Sequence, residues 1–471
     1  SSFSQQVVDA GREIGQYASI TIDGSNNPHI SYYAIDDPNL YYARRSGSSW
    51  YIEQVDTAGD TGGYSCIKML PTGYPAVSYC KFRFTWSNPE YNMTADLKYA
   101  YKDAAGWHTS TVHTNAGLYT SLWIHNGVPC IAYGDVAWKS ISTRYAQWNG
   151  SGWDLQLVDA GSPDTPPQGD WHADGLWTSL ACDQSGNPHI SYMEHWQDFG
   201  QTPPENVLTR RLMHAWRLGG VWYTEIVEDG QFGKFSSIAV NSSGYPCIAY
   251  QDVGSGHLKY AYKTASGWVK EIVDSSSTTG LYISLCLDSL GYPRIAYKDL
   301  SNQCLKYAWK DNSGWHTEVV DNGGRVGDYC SLALTSSGEP YIVYMDWDNL
   351  TLKLAYPSPQ QYGAISGYVR DTNNQPISGA IVATEGGAYS TTSGQDGSYL
   401  ITQVLPGTYN LIASKVGYQS QVVPGVQVNA NQTTTVNFNL SLVPPGTIAG
   451  LVKDSNNNPI SGAVVATTTG G

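Results

Sequence analysis

Three segments of the 471-residue chain concentrate side chains that could recognise or transform a sugar. They are 81–96, 161–174 and 194–208, and each combines aromatic rings with Arg, His or carboxylate groups. Flat ring faces stack on pyranoses, while polar groups read hydroxyls. Together with Trp138 from the region between them, they supply the predicted ligand-binding residues Arg83, Trp86, Trp138, Asp170, Trp171, Trp196 and Phe199. Replacing both Trp171 and Trp196 with Ala should therefore abolish ligand binding without unfolding the protein.

The same segments suggest two alternatives. In the first, an elimination acts on an acidic sugar: His172 or His195 abstracts a proton, Tyr91 assists, and Arg83 neutralises the uronate carboxylate. In the second, the aromatic residues cover one another and form a small core under the loops. The sequence has no His-x-x-x-His pair, Cys-x-x-Cys, P-loop or Gly-x-Ser-x-Gly. Metal, nucleotide and serine-hydrolase chemistry therefore lack a local motif.

A repeat over residues 1–356 must position these segments. Each copy has an aromatic-to-acid segment such as Trp268–Asp274, a Gly-x-aromatic-x-Ser block, a Pro-led strand such as 292–297, and a strand such as 304–310. Alternating apolar residues between Gly, Pro and Asn turns predict four β-strands. Seven copies, about 46–47 residues apart where nothing is inserted, predict an all-β, seven-bladed β-propeller.

The phase of the repeat predicts how the ring closes. The last copy lacks an outer strand downstream, and Phe3–Asp9 lacks a preceding blade. We expect this N-terminal strand to pair near Leu352–Tyr356 and complete blade 7, which also protects the exposed edges. Antiparallel strand order places all three insertions on one face of the ring, called here the insertion face.

Short hairpins precede the repeated Trp residues, as in Ser151-Gly152-Trp153 and Ser313-Gly314-Trp315. With the seven repeats, they resemble secreted seven-bladed propellers of the sialidase-like and lectin-like type. The resemblance is specific for the fold but much less so for an activity. The sequence lacks the sialidase Ser-x-Asp-x-Gly-x-x-Trp form, the Arg-Ile-Pro motif and an Arg triad. A sialidase activity is therefore disfavoured.

After a linker at 357–362, the composition changes to Val, Thr and Asn. Residues 363–384 match 446–467 at 15 of 22 positions. The unit at 363–442, with Asp396-Gly397 and Leu405-Pro406-Gly407, resembles the carboxypeptidase-regulatory-like, transthyretin-like β-sandwich family, whose domains are structural spacers. Residues 446–471 would be the first strands of a second, truncated sandwich. We expect the chain to be a piece of a longer protein with a stalk of such units.

Acidic and histidine side chains recur in the repeats. Asp9, Asp56 and Asp274 represent the acids that end the outer strands, and a weak calcium site is conceivable where oxygens converge. Because these acids are spread around the ring, we expect them to cap turns instead. His29 and His189 share one repeat position at the opposite end of the strand, and we expect a structural role. No other cofactor is indicated.

The eight Cys residues lie in the repeats, without metal-ligand spacing. Cys130 and Cys247 share a second-strand position, and Cys182 and Cys286 end the next inner strands. The pairs Cys130–Cys182 and Cys247–Cys286 are therefore predicted disulfides between blades. Asn92, Asn149, Asn241, Asn349, Asn431 and Asn439 begin N-x-S/T sequons and are candidate glycosylation sites.

Composition limits the partners. A net charge of −14 disfavours nucleic acid, and no apolar run is long enough to insert in a membrane. The leading hypothesis is an extracellular or cell-surface adhesion protein without catalytic activity, whose propeller head binds carbohydrate or a surface polymer. The alternatives are a polysaccharide lyase or glycosidase, and a lattice or filament subunit that self-assembles through its C-terminal repeat.

Overall fold

The computed structural model describes residues 2–85, 92–137, 140–160, 171–197 and 208–467. They form two compact units, Ser1–Ser358 and Pro359–Gly471. None of the described ranges contains a helix long and apolar enough to cross a membrane. Every regular element described is a β-strand.

The first unit contains seven antiparallel four-stranded blades. The strands of blades 1 to 3 are β2 (Ile14–Ile22), β3 (Pro28–Ala34), β4 (Leu40–Ser46) and β5 (Ser49–Asp56); β6 (Thr61–Met69), β7 (Pro75–Thr85), β8 (Asn92–Asp103) and β9 (Gly106–His113); and β10 (Leu118–His125), β11 (Val128–Ala137), β12 (Ser140–Trp148) and β13 (Trp153–Asp159). Those of blades 4 and 5 are β14 (Trp171–Cys182), β15 (Pro188–Gln197), β16 (Leu208–Leu218) and β17 (Val221–Gly230); and β18 (Phe232–Val240), β19 (Pro246–Asp252), β20 (Leu258–Thr264) and β21 (Gly267–Asp274). Those of blades 6 and 7 are β22 (Leu281–Leu287), β23 (Pro293–Asp299), β24 (Cys304–Asp311) and β25 (Gly314–Asp321); and β26 (Val326–Leu334), β27 (Pro340–Asp346) and β28 (Thr351–Pro357) with β1 (Phe3–Asp9).

The blades close into a ring, as predicted. Each inner strand contacts the inner strand of the next blade, and β26 contacts β2. The N-terminal strand β1 pairs antiparallel with β28, from Phe3 opposite Pro357 to Asp9 opposite Leu352. The predicted seven-bladed propeller, closed by its N-terminal strand, is therefore confirmed.

The apolar core lies between neighbouring blades. Between blades 1 and 2, for example, Tyr42 and Val55 pack with Ile67 and Tyr79, and all four are buried. Blades 3 and 4 are also joined at the insertion face by a short parallel pairing of β12 and β14, with Ser140 opposite His172. The long β14 thus begins beyond the level at which the other inner strands start.

The second unit is a sandwich of two sheets. One contains β29 (Gly363–Asp371), β32 (Ser398–Val404), β35 (Thr433–Thr435) and β36 (Phe438–Leu440); the other contains β30 (Ile381–Thr384), β31 (Ser390–Thr392), β33 (Gly407–Ser414) and β34 (Gln421–Val428). Buried side chains such as Val369, Leu411 and Phe438 fill the space between the sheets. Residues 446–467 carry turns and one isolated bridge, Lys453 to Pro459, but no strand. Their apolar residues, Val464 among them, are exposed, because no second sheet covers them.

Candidate site at the mouth of the central channel

Seven aromatic side chains, one from each inner strand, form a closed circle around the channel. Their ring centroids lie 4.6–5.4 Å from the next ring along the circle. We call this set the aromatic collar; its members are Tyr17, Tyr64, Tyr119, Trp177, Phe235, Tyr282 and Tyr329. The collar and the residues that follow its members line a cavity of about 180 Å³. Aromatic side chains from every inner strand therefore line the channel.

The Gly-x-aromatic-x-Ser block has a physical explanation at each of its three fixed positions. The aromatic adopts a left-handed backbone, with φ between 50° and 54° in all seven blades. The Gly two residues earlier passes close to the preceding blade: a Cβ on Gly117 would lie 2.7 Å from the backbone of Leu97. The Ser side chain accepts a hydrogen bond from the next inner strand, as Ser237 Oγ does from Leu285 N at 3.0 Å. Such strained residues persist only where the surroundings fix them.

A basic group borders the collar at blades 4 and 5. The Nζ atom of Lys234 lies 5.6 Å from the ring centroid of Trp177 and 5.1 Å from that of Phe235. Arg210 donates from Nε to His195 Nδ1 at 3.3 Å and from its guanidinium to Gln231 Oε1 at 3.1 Å. Burial lowers the pKa of Arg210, and burial together with the charge of Arg210 lowers the pKa of Lys234. Two cations are therefore partly desolvated near each other.

An acidic group borders the collar at blades 1 and 2. Tyr33 donates its hydroxyl hydrogen to Asp60 at 2.8 Å, and its ring centroid lies 6.0 Å from that of Tyr17. Burial raises the pKa of Asp60 despite this hydrogen bond. Phe82 lies close to both Tyr17 and Tyr64, with centroids 6.3 and 6.0 Å away. The mouth thus has aromatic walls, with opposite charges on different sides.

The structure tests little of the predicted ligand-binding set. Trp86, Tyr91, Trp138, Asp170 and Phe199 lie outside the described residues, as do the side chains of Trp171, His172 and Trp196. The backbone places His172 opposite Trp196 in the β14–β15 pairing, at the insertion face. Two of the predicted residues, Arg83 and His195, are described. Arg83 donates to Asp96 at 2.6 Å and to Asn115 at 2.7 Å, so its charge is already paired. His195 is buried and contacts Arg210.

Residues that sequence reasoning missed are Arg210, Lys234 and Asp60. A signal existed for Lys234, since it directly precedes a collar aromatic, where the other blades carry no cation. For Arg210, the unusual Arg210-Arg211 pair at the start of a third strand was the available signal. Nothing in the sequence distinguishes Asp60 from neighbouring turn residues.

The repeated acids join neighbouring blades. In six junctions, a second-strand Tyr donates its hydroxyl hydrogen to an acid at or near the end of the outer strand of the preceding blade, a contact called here the Tyr–acid latch. The pairs are Tyr32 with Asp9, Tyr79 with Asp56, Tyr192 with Asp159, Tyr250 with Glu228, Tyr297 with Asp274, and Tyr344 with Asp321. Some of these acids also cap turns: Asp56 accepts from Ala58 N at 2.9 Å. Within the described ranges, no group of three or more His, Cys, Asp or Glu side chains is placed to hold a metal ion.

The histidines at the opposite face are buried in hydrogen-bonded chains. His29 contacts Asp23 at 3.0 Å and the Tyr42 hydroxyl at 2.6 Å. His189 Nδ1 contacts His214 Nε2 at 3.0 Å, and burial lowers the pKa of His189 to about 4. Neutral, partnered histidines of this kind stabilise the blade.

Two cysteines lie within reach of each other across blades 3 and 4. The Sγ atoms of Cys130 and Cys182 are 4.0 Å apart, both thiols are buried, and both are reduced in this structure. By contrast, the thiols of Cys247 and Cys286 point to the carbonyl oxygens of Tyr245 and Leu332. Both disulfides stay predictions, and the geometry favours the first pair.

Mild oxidation is expected to link Cys130 to Cys182, since small side-chain rotations would bring the sulfurs to a bonding distance of about 2.05 Å. Non-reducing peptide mapping by mass spectrometry would detect the linked peptides. The cross-link should raise the free energy of unfolding by about 2–4 kcal/mol. Cys80 serves as an internal control that should stay a free thiol. Recovery of Cys130 and Cys182 as free thiols after oxidation would contradict the prediction.

Comparison with known proteins gives separate matches for the two units. Residues 364–441 match the family model of the carboxypeptidase regulatory-like domain. The carboxypeptidase N catalytic chains of Mus musculus and Rattus norvegicus are 36% identical over 81 residues, which is 17% of this chain and 17% of each relative. The chain thus spans about a sixth of the length of those curated relatives.

The propeller is similar to a solved polysaccharide lyase, an ulvan lyase bound to -[GlcA(1-4)Rha3S]-. The alignment has a TM-score of 0.52 and 14% sequence identity, and it covers 74% of this chain and 95% of that one. At this identity the likeness extends to the fold alone. The chain therefore combines a β-propeller with a C-terminal sandwich that matches the carboxypeptidase regulatory-like domain.

Proposed function

We propose that the propeller is the binding head of an extracellular or cell-surface protein and that it binds a polysaccharide across the channel mouth on the insertion face. The observation that carries this proposal is the aromatic collar, with charged and hydroxyl groups at its border. Aromatic faces stack on sugar rings, and polar groups around them fix orientation. The sandwich would display the head, as spacer domains do.

The size of the cavity favours a polymer that lies across the mouth. At about 180 Å³, the cavity is smaller than the ~300–1,000 Å³ pockets that enclose drug-sized ligands. It would therefore take one sugar unit or a substituent, with the remaining units held by the insertion loops. This arrangement is consistent with Trp171 and Trp196 as binding residues.

Binding without turnover is the reading that we favour. The described titratable groups around the mouth lie at separate blades: Tyr33 and Asp60 at blades 1 and 2, His195 with Arg210 at blades 4 and 5, and the ion pair of Lys298 and Asp328 at blades 6 and 7. General acid–base catalysis needs its groups within hydrogen-bond reach of the same sugar. A lyase remains the second candidate because the buried His195 lies beside a cation. That pairing would suit proton abstraction next to a neutralised carboxylate.

A glycan-array screen followed by a turnover assay on the hits tests the proposal. The double variant W171A/W196A is expected to weaken glycan binding by at least about tenfold, because stacking aromatics often dominate such sites. Its melting temperature should stay within a few degrees of the wild type. The matched control is W148A, a partly exposed Trp on a hairpin of the opposite face, which should bind normally.

The outcomes separate the candidates. Binding without product supports the binding head, whereas unsaturated sugar ends released by the wild type and lost in H195Q would establish the lyase instead. A stable W171A/W196A protein with unchanged affinity would move the site away from the insertion loops. If that variant unfolds, its aromatics form a small core, as in the alternative stated above.

A further inference from the structure

Many of the described cations of the propeller have an acidic partner. Lys98 pairs with Asp56 at 2.9 Å, Lys259 with Glu228 at 2.7 Å and Lys353 with Asp321 at 2.6 Å. Arg211 pairs with Asp229 at 2.9 Å and with Glu194 at 3.4 Å. Pairing is expected, because a cation that loses water without gaining an anion is costly.

Lys234 and Arg210 depart from this pattern. Among the residues that the structure describes, neither makes an ion pair; Arg210 donates only to His195 and Gln231, which are not carboxylates. A backbone bridge between Arg210 and Gln231 holds β16 against the start of blade 5, three residues before Lys234. Burial lowers the pKa of Arg210, and burial together with the nearby charge of Arg210 lowers the pKa of Lys234.

The position of Lys234 and Arg210 indicates what kind of ligand could compensate their positive charges. Lys234 Nζ lies 5.1–5.6 Å from the faces of two collar residues. A sugar stacked on those rings would present a substituent to the ammonium group, and the Arg210 guanidinium offers a second set of N–H donors. One anionic oxygen group bound here would relieve the repulsion between the two cations.

We propose that Lys234 and Arg210 form a seat for one acidic group of the polysaccharide, a carboxylate or a sulfate ester, so that the propeller selects acidic over neutral polymers. This inference rests on the proposed function. The anion seat would give charge specificity, while the aromatic groups contribute stacking that does not depend on charge.

Matched polymer pairs test the selectivity. Affinity electrophoresis and calorimetry would compare dextran sulfate with dextran for the sulfate ester, and polygalacturonate with its methyl ester for the carboxylate. The wild type should bind the acidic member at least about tenfold more tightly. K234Q and R210Q should lose that preference, whereas K270Q, which removes an exposed lysine on the outer strand of the same blade, should keep it. The pair that shows the preference identifies the acidic group.

Inorganic sulfate separates this inference from the proposed function. At equal ionic strength, sulfate should raise the melting temperature of the wild type and of K270Q more than that of K234Q. K234Q itself should melt no lower than the wild type, since the substitution removes a repulsion. If no polymer binds but the sulfate difference is present, the seat stands and the proposed function fails. If neutral and acidic polymers bind alike, or K234Q and K270Q respond equally to sulfate, the anion seat is overturned.

Discussion

Deleting residues 1–10 is expected to lower the free energy of unfolding by several kcal/mol, a large share of the ~5–15 kcal/mol typical of a folded protein. The deleted strand β1 forms the outer edge of blade 7 and contacts its neighbours. Phe3 is buried against Tyr307 of blade 6, with ring centroids 5.7 Å apart. Asp9 accepts a hydrogen bond from the Tyr32 hydroxyl of blade 1 at 2.7 Å, which forms one of the Tyr–acid latches. One strand therefore joins three blades, and its loss opens the ring.

Thermal and urea unfolding of the truncated protein would measure the effect. The control V7T keeps the strand and alters only an exposed side chain, so its stability should change by less than about 0.5 kcal/mol. Adding the deleted segment as a peptide should restore part of the lost melting temperature by mass action. A truncated protein that melts at the wild-type temperature would show that β1 does not hold the ring closed.

The variant D274A is expected to lose about 3–5 kcal/mol, the cost of leaving a buried charge without its partner. Asp274 accepts from the Tyr297 hydroxyl and from Ser276 Oγ, each at 2.6 Å, and it pairs with Lys306. Tyr297 and Lys306 are themselves buried. Removing the carboxylate therefore leaves the Tyr297 hydroxyl without its acceptor and leaves the Lys306 ammonium group only the more distant Asp299, 3.9 Å away. The control D154A changes an exposed outer-strand carboxylate and should cost less than about 0.5 kcal/mol.

The latch between Asp274 and Tyr297 is also expected to contribute less to the free energy of unfolding at low pH. Burial disfavours the charged form of Asp274, but hydrogen bonds from Lys306, Ser276 and Tyr297 outweigh it and lower the pKa to about 2. Because this value lies below the ~3.9 of an unfolded Asp, the contribution is complete above that value and is lost as the pH falls towards 2. Urea unfolding between pH 7 and 2 should show wild type and D274N converging at low pH. A difference that stays constant with pH would contradict this account.

The sequence predicts the repeat, the number of blades and the ring closure because those depend on local patterns. Gly, Pro and Asn turns set the strand ends, and the phase of the repeat determines which strand is missing. The latches were also within reach of the sequence, since Asp56 and Tyr79, Asp274 and Tyr297, and Asp321 and Tyr344 are each 23 residues apart. Without the fold, however, that spacing has no evident meaning, and the acids suggested only turn caps.

The cation pair could not be predicted in this way. Arg210 and Lys234 belong to different strands of different blades, and their proximity depends on how blades 4 and 5 pack. Their lack of acidic partners is equally a property of the three-dimensional arrangement. The sequence instead drew attention to loop aromatics such as Trp171 and Trp196, whose composition is conspicuous regardless of the fold.

The latch geometry also bears on how such a ring can grow or shrink during evolution. Each latch joins the end of one repeat to a Tyr of the next, so a gene duplication that copies a whole repeat supplies both partners of the new junction. Duplications that copy only part of a repeat would separate an acid from its Tyr and leave buried groups unmatched. Only the terminal strand β1 lies outside this scheme, because it must meet whichever blade comes last. Selection on the number of blades therefore acts on complete repeats, while the N-terminal strand closes the ring in each case.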